Sequence, residues 1–126
     1  MASIKPPLDL VKAWITFNAI DNPEARLVVK NVSKKTVDAY TVGIYCYDRY
    51  GKPVEHYLND THRFGGLSQT TIKPGATYGW NSYWTLHGYE NTAKISVVLE
   101  DVHMTDGSTW TPKEGQRVAI EGVSKR

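Results

Sequence analysis

Apolar and polar positions alternate with a period of two through most of this chain, and no 3.6-residue stripe persists long enough to predict a helix. The longest alternating stretch runs from Val37 to Val54, VDAYTVGIYCYDRYGKPV. Successive strand side chains point to opposite faces, so Tyr40, Val42, Ile44 and Cys46 share one side while Thr41, Gly43, Tyr45 and Tyr47 share the other. The first set is the more apolar and is the expected core face. Asp48-Arg49-Tyr50-Gly51 then carries turn chemistry, with Asp able to bond the backbone beyond it and Gly free to take positive φ. Lys52-Pro53-Val54 resumes an extended run, so a central strand followed by a hairpin is predicted.

The rest of the chain arranges itself around that strand. Pro6-Pro7 disfavours helix, and Val11 to Ile20 then alternates, with Val11, Ala13, Ile15 and Phe17 on one side and Lys12, Trp14, Thr16 and Asn18 on the other. Asp21-Asn22-Pro23 breaks this run, and Arg26 to Val32 forms the next, placing Leu27, Val29 and Asn31 against Val28 and Lys30. NVSKKT, Asn31 to Thr36, is a polar turn into the central strand. From His56 to Ser68 the pattern dissolves into HYLNDTHRFGGLS, which is expected to be a long connection crossing between sheets.

Ile72-Lys73-Pro74-Gly75 is a turn that launches an aromatic strand from Thr77 to Leu86. Ala93 to Met104 sets Ile95, Val97 and Leu99 against Ser96, Val98 and Glu100, with Val98 and Val102 indicating partial burial of the second face. Thr105-Asp106-Gly107-Ser108 turns the chain into a short strand, Thr109-Trp110-Thr111, and Val118-Ala119-Ile120 either extends it or forms a loose tail. Roughly seven strands at regular spacing, without a helix or a repeat, are the pattern of an all-β fold, an immunoglobulin-like antiparallel β-sandwich. It is expected as one domain over residues 1–126, with its core at about residues 10–112 and loose termini; a small closed barrel is the rival architecture.

At 126 residues such a domain buries a core without staples. The net charge of +2 is too small to call for a polyanionic partner, so nucleic acid is not expected. The single cysteine, Cys46, excludes an intrachain disulfide, and its place on the apolar strand face makes it a small buried hydrophobe. No apolar run approaches the roughly 20 residues of a bilayer span, and the N-terminus lacks the charged and apolar regions of a signal peptide. Met1-Ala2-Ser3 suits either a native start or the start of a domain cut from a longer exported protein.

The recognisable catalytic contexts are missing. Gly66-Leu67-Ser68-Gln69-Thr70 approaches a serine-hydrolase elbow but lacks its second glycine and its helix, so it reads as loop. His56, Asp60 and His62 are of the right types for zinc, yet their spacing matches no zinc pattern, and His87 and His103 lie in other segments. No metal or other cofactor is therefore expected. Asp48 and Asp106 each stand by a turn glycine, so turn formation explains them better than a calcium site or, with Asp101, a glycosidase pair. Lys34-Lys35 reads as a solvated turn, and the sequons Asn31-Val32-Ser33 and Asn59-Asp60-Thr61 matter only in a glycosylating host.

Aromatic usage carries more functional colour, with 4 Trp and 8 Tyr against 2 Phe. In the aromatic strand Tyr78, Trp80 and Trp84 share one face and Asn81 and Tyr83 the other, while Tyr45 and Tyr47 lie on the outward face of the central strand. Flat rings beside polar groups stack sugars, so Tyr45, Tyr47, Tyr83 and Trp84 are the candidate ligand-binding residues. The plainer alternative is a core tryptophan and tyrosines that cover a sheet through cross-strand pairing.

Ile44-Tyr45-Cys46-Tyr47-Asp48, followed by Arg49-Tyr50-Gly51, resembles the Phe-x-Leu-Tyr-Asp signature and trailing glycine of the FxLYD-type immunoglobulin-like domains of bacterial surface proteins. Asn31-Val32-Ser33-Lys34-Lys35-Thr36 is similar to the turn before that strand in such domains, and Ile72-Lys73-Pro74-Gly75 to their later Pro-Gly turn. Ile44 and Cys46 depart from the signature, and Thr77 to Trp84 with Asp106 to Trp110 looks closer to a related domain family of unknown function in exported Gram-positive proteins. The resemblance spans roughly Arg26 to Trp110 and brings no catalytic residues. It implies a non-enzymatic accessory or interaction module, secreted or at the cell surface as part of a longer exported protein. The aromatic face and the His56 to Ser68 loop are the expected contacts with protein or cell-wall polysaccharide; the alternative is a carbohydrate or cell-wall binding module. Unprotected edge strands leave strand-addition dimers open.

Overall fold

The computed structural model describes residues 5–58 and 60–124. Among them are nine strands and no helix: β1 (Leu8–Phe17), β2 (Pro23–Asn31), β3 (Val37–Tyr47), β4 (Arg63–Ser68), β5 (Thr77–Tyr78), β6 (Trp84–Thr85), β7 (Lys94–Met104), β8 (Thr109–Trp110) and β9 (Ala119–Val123). The first sheet is β1-β2, with β5 and β6 both paired to the far side of β2; the second is β4-β3-β7, with β8 and β9 both paired to β7. All ladders are antiparallel. The chain changes sheets after β2, β4 and β6, which gives the immunoglobulin-like β-sandwich that the alternation predicts.

The core lies where the alternation places it. Tyr40, Val42, Ile44 and Cys46 of β3 are all fully buried and meet Ala25, Leu27 and Val29 of β2 and Ile95, Val97 and Leu99 of β7 in one cluster. Two links close the sandwich at its open sides. At one, Gly122 of β9 packs so closely on Ala13 of β1 that a Cβ would come within 2.6 Å of the Ala13 carbonyl carbon. At the other, the Trp84 indole Nε1 donates to the Leu67 carbonyl of β4 at 3.2 Å.

Asn31 is the polar exception on the inward face. It is fully buried, its Nδ2 donates to the Lys35 and Ile72 carbonyls at 2.8 Å each, and its Oδ1 accepts from Ser33 N and Oγ at 3.0 and 2.7 Å. That side chain closes the β2–β3 turn and ties it to the segment before β5. The sequon at Asn31 is therefore inside the fold, and Asn59 of the second sequon lies outside the described residues.

Several elements depart from the expected boundaries. Val11 is exposed rather than inward because a register shift between Leu10 and Lys12 adds a residue to β1. A second shift, opposite Thr41 and Val42, moves the inward phase of β7 from Leu99 to Val102 and buries Val102 fully. Lys52 to Val54 returns along the end of β3 through two backbone hydrogen bonds, Asp48 N to the Lys52 carbonyl and Val54 N to the Cys46 carbonyl, but extends no further than an isolated Tyr47–Pro53 bridge. The partner of β3 on that edge is β4, which falls inside the expected His56 to Ser68 connection. Its alternation is interrupted because Gly66, an inward position after Phe64, has no side chain and its space is filled by the Trp84 ring and Val42.

The aromatic strand is two short pieces, since Gly79 takes φ 123° and the chain loops between them. Val118 to Ile120 leads into β9, which lies on the same edge of β7 as β8 and so completes the last strand position after an excursion.

Candidate functional site

The four candidate aromatics fall in two places, on opposite sheets. Tyr45 and Tyr47 stand on the outer face of the second sheet, half-buried, with the His62 ring packed against both at centroid distances of 5.3 and 5.6 Å. Across that face the register aligns Gly65, Gly43, Val98 and Ala119 in one row, beside a row of Arg63, Tyr45, Ser96 and Glu121. The row of small residues leaves the face low along one line. Over Gly43 it is bridged by the Arg63–Glu100 ion pair: a Cβ on Gly43 would lie 3.0 Å from both Arg63 Nε and Glu100 Oε2. Hydrogen bonding to Glu100 raises the Arg63 guanidinium pKa above its ordinary value. Next to this pair Tyr45, Tyr47, His62, Val98 and Arg117 line a hollow of about 330 Å³.

Tyr83, just before β6, and Trp84 in it both border a hollow of about 320 Å³ that Tyr40, Ser68 and Tyr78 also line, but the two rings differ in burial. Trp84 is half-buried, lies against Gly66 and bonds the Leu67 carbonyl, so it closes the sandwich rather than offering a free ring. Tyr83 turns outward at 50% exposure, with the Arg26 guanidinium 5.0 Å from its ring centroid. These four side chains therefore do not form one coplanar row.

A second aromatic surface gathers around Tyr83 on the outer face of the first sheet. Trp14 of β1 and Trp80 of the β5–β6 loop approach with ring centroids 6.1 Å apart, Trp80 being 53% exposed. Lys12 Nζ sits 4.9 Å from the Trp14 ring, and Arg26 Nε donates to Thr16 Oγ1 at 2.8 Å while Glu24 accepts from Thr16 at 2.9 Å. The loop carrying Trp80 is seated on β2: a Cβ on Gly79 would lie 2.0 Å from the Leu27 carbonyl oxygen. Val28 beneath it is fully buried although it lies outside the core cluster. Trp14 was legible in the sequence as the one large ring on the polar side of the first strand; its partnership with Trp80 needed the loop at Gly79.

The polar candidates are dispersed. His56 packs on Tyr57 and Tyr89, its Nδ1 accepting from Leu58 N at 3.1 Å, whereas His62 stands between Tyr45 and Tyr47, and His103 pairs with Asp38. Among the described residues no three His, Cys, Asp or Glu side chains gather in a metal-binding group. Ser68 ends an edge strand and hydrogen-bonds Tyr40 instead of standing on a tight turn. A hollow of about 520 Å³ opens among the loops beside Phe17, Tyr50 and Glu90. Its Asp48 carboxylate is occupied in accepting from Tyr50 N and Lys52 N at 2.8 and 3.0 Å, as turn chemistry requires.

No curated protein matches the chain. A solved structure of a hypothetical protein from Peptoclostridium difficile 630 is similar in fold, with a TM-score of 0.68 at 13% identity over 88% of this chain and 89% of that one. A family model described as a family of unknown function (DUF5780) matches residues 24–116, from the start of β2 to just past β8. The chain belongs to this family of unknown function.

Proposed function

We propose that the domain is a non-catalytic binding module of an exported or cell-surface bacterial protein, and that it holds a polysaccharide chain against the outer face of its first sheet. The observation that carries this reading is the presentation of Trp80 and Tyr83, each about half exposed, beside Trp14 on a loop braced by Gly79. A ring that is already fixed loses little freedom on stacking, which is where binding surfaces gain affinity. Lys12 and Arg26 lie over one face of Trp14 and of Tyr83 and place N–H donors beside the rings, as recognition of hydroxyl-rich rings requires. The exported setting is supported by the resemblance of Ile44 to Gly51 to the signature of bacterial surface domains.

Intrinsic tryptophan fluorescence and affinity electrophoresis with soluble cell-wall and plant polysaccharide fragments test the reading. On the scale of base–aromatic stacking, one ring contributes about 1–3 kcal/mol, so Trp80→Ala or Tyr83→Ala is expected to weaken binding roughly five- to a hundredfold. Binding that survives both substitutions, or no saturable response from the folded domain with any fragment, overturns it.

A further inference from the structure

We propose that the hollow on the outer face of the second sheet is a separate binding site for a pyranose ring bearing an anionic group, a carboxylate or a phosphate. The site is independent of the aromatic face on the first sheet, since the two lie on opposite outer faces of the sandwich. Three features define it. The hollow of about 330 Å³ is walled by two tyrosines and a histidine whose rings are tilted against one another, 57° for Tyr45–His62 and 62° for Tyr47–His62. Its floor is Val98 of β7, the member of the Gly65, Gly43, Val98 and Ala119 row that borders it. Its rim carries the exposed Arg117.

Charge complementarity selects the ligand. Of the acids of the neighbouring rows, Glu100 pairs with Arg63 and Glu121 with Lys94 at 3.5 Å, Asp101 lies opposite Thr41, and no carboxylate among the described residues pairs with Arg117. A guanidinium left over at the mouth of an aromatic hollow favours an anion, which it holds by paired N–H donors in one plane. The Tyr45 and Tyr47 faces then receive the apolar face of the attached ring, and the His62 ring adds a polar edge between them. An uncharged sugar leaves the guanidinium without its partner, and an inorganic anion leaves the rings uncovered, so both parts of the ligand are needed.

The test is titration of the ¹⁵N-labelled protein with glucuronate, glucose 6-phosphate, glucose and inorganic phosphate, read as saturable shifts of the Tyr45, Tyr47 and His62 amides and checked by calorimetry. Glucuronate or glucose 6-phosphate is expected to bind at least about tenfold more tightly than glucose or inorganic phosphate, the factor of one charge-assisted hydrogen bond. Whichever of the two binds identifies the source of the anion, and either supports the site. Arg117→Gln should bring the sugar anion down to the glucose level and Arg117→Lys should restore part of the difference. The proposal falls if glucose or inorganic phosphate matches the sugar anion, if Arg117→Gln on the folded protein changes nothing, or if none of the four ligands moves those amides.

Discussion

Replacing Asn31 should remove more stability than any exposed substitution, and the amount follows from its hydrogen bonds. The side chain makes four of them at 2.7–3.0 Å with no exposure to solvent. In Asn31→Ala the Ile72 carbonyl keeps the Val37 amide as donor at 3.0 Å, and the Ser33 hydroxyl, released from Asn31 Oδ1, turns its one proton to the Lys35 carbonyl 3.0 Å away, so neither is wholly orphaned. At about 1 kcal/mol net for each lost bond, the expected cost is about 2–4 kcal/mol, a fall in Tm of about 10 °C. Asn31→Asp is the sharper test. It replaces the NH2 group, which donates to both carbonyls, with one carboxylate oxygen facing them, so at pH 7 it should cost about 1–2 kcal/mol more than alanine.

Burial against those carbonyls raises the pKa of the introduced carboxyl above its unfolded value of about 3.9, so the native state holds the proton more tightly than the unfolded chain. Stability of Asn31→Asp relative to Asn31→Ala should therefore rise as pH falls from 7 towards about 4. Urea denaturation followed by fluorescence across that range measures both. A loss below about 1 kcal/mol for Asn31→Ala, or equal losses for the two variants at pH 7, would refute the reasoning.

Burial pushes the Cys46 thiol up to about 11 and the Tyr40 hydroxyl up to about 12, so both ionise more readily in the unfolded chain. Their contribution to stability is whole below pH 9 and is lost as pH rises through 9–12; urea midpoints should fall over that window, less steeply in Tyr40→Phe, and a flat profile contradicts the assignment. Gly79→Ala places a side chain at φ 123° and 2.0 Å from the Leu27 oxygen, so a loss of at least about 3 kcal/mol in urea denaturation is expected, with altered Trp80 emission; a loss under about 1 kcal/mol would show that the loop shifts freely. The Arg63–Glu100 pair, with side chains 39% and 33% exposed, should show a double-mutant coupling of no more than about 1 kcal/mol that shrinks with salt, and a coupling above about 3 kcal/mol would mean that water is excluded from it.

The fold was legible where a strand has one apolar face, and obscure where a strand borrows its neighbours. Val37 to Tyr47 and Lys94 to Met104 announce themselves through Tyr40, Val42, Ile44, Ile95, Val97 and Leu99, each of which fills its own share of the core. β4 has no such signal, because Gly66 contributes no side chain and the space is taken by Trp84 from the other sheet. A strand held by its ladder to β3 and by a distant ring reads locally as loop. Bulges escape for a different reason. An added residue in β1 or β7 reverses the phase beyond it, so Val11 moves outward and Val102 inward without any change in which residues are apolar.

The sites were partly legible for a related reason. Alternation identified Tyr45 and Tyr47 as outward, and Trp14 stood on the polar side of its strand, but periodicity carries no information about which outward rings meet. Trp14 meets Trp80 only because Gly79 lets the β5–β6 loop lie on β2, and Tyr45 meets His62 only because the chain before β4 returns along β3. The first surface depends on a position without a side chain, Gly79, and the second on the return of His62 beside β3, while the rings and Arg117 that would touch a ligand lie outside the core cluster. Fold and recognition are thereby separable in this domain. Substituting Arg117 or Tyr83 should alter stability by no more than about 0.5 kcal/mol, the usual range for surface positions, so a change in binding there reports on contact with the ligand rather than on unfolding. Gly79 lacks that separation: substituting it would move the backbone and the binding surface together.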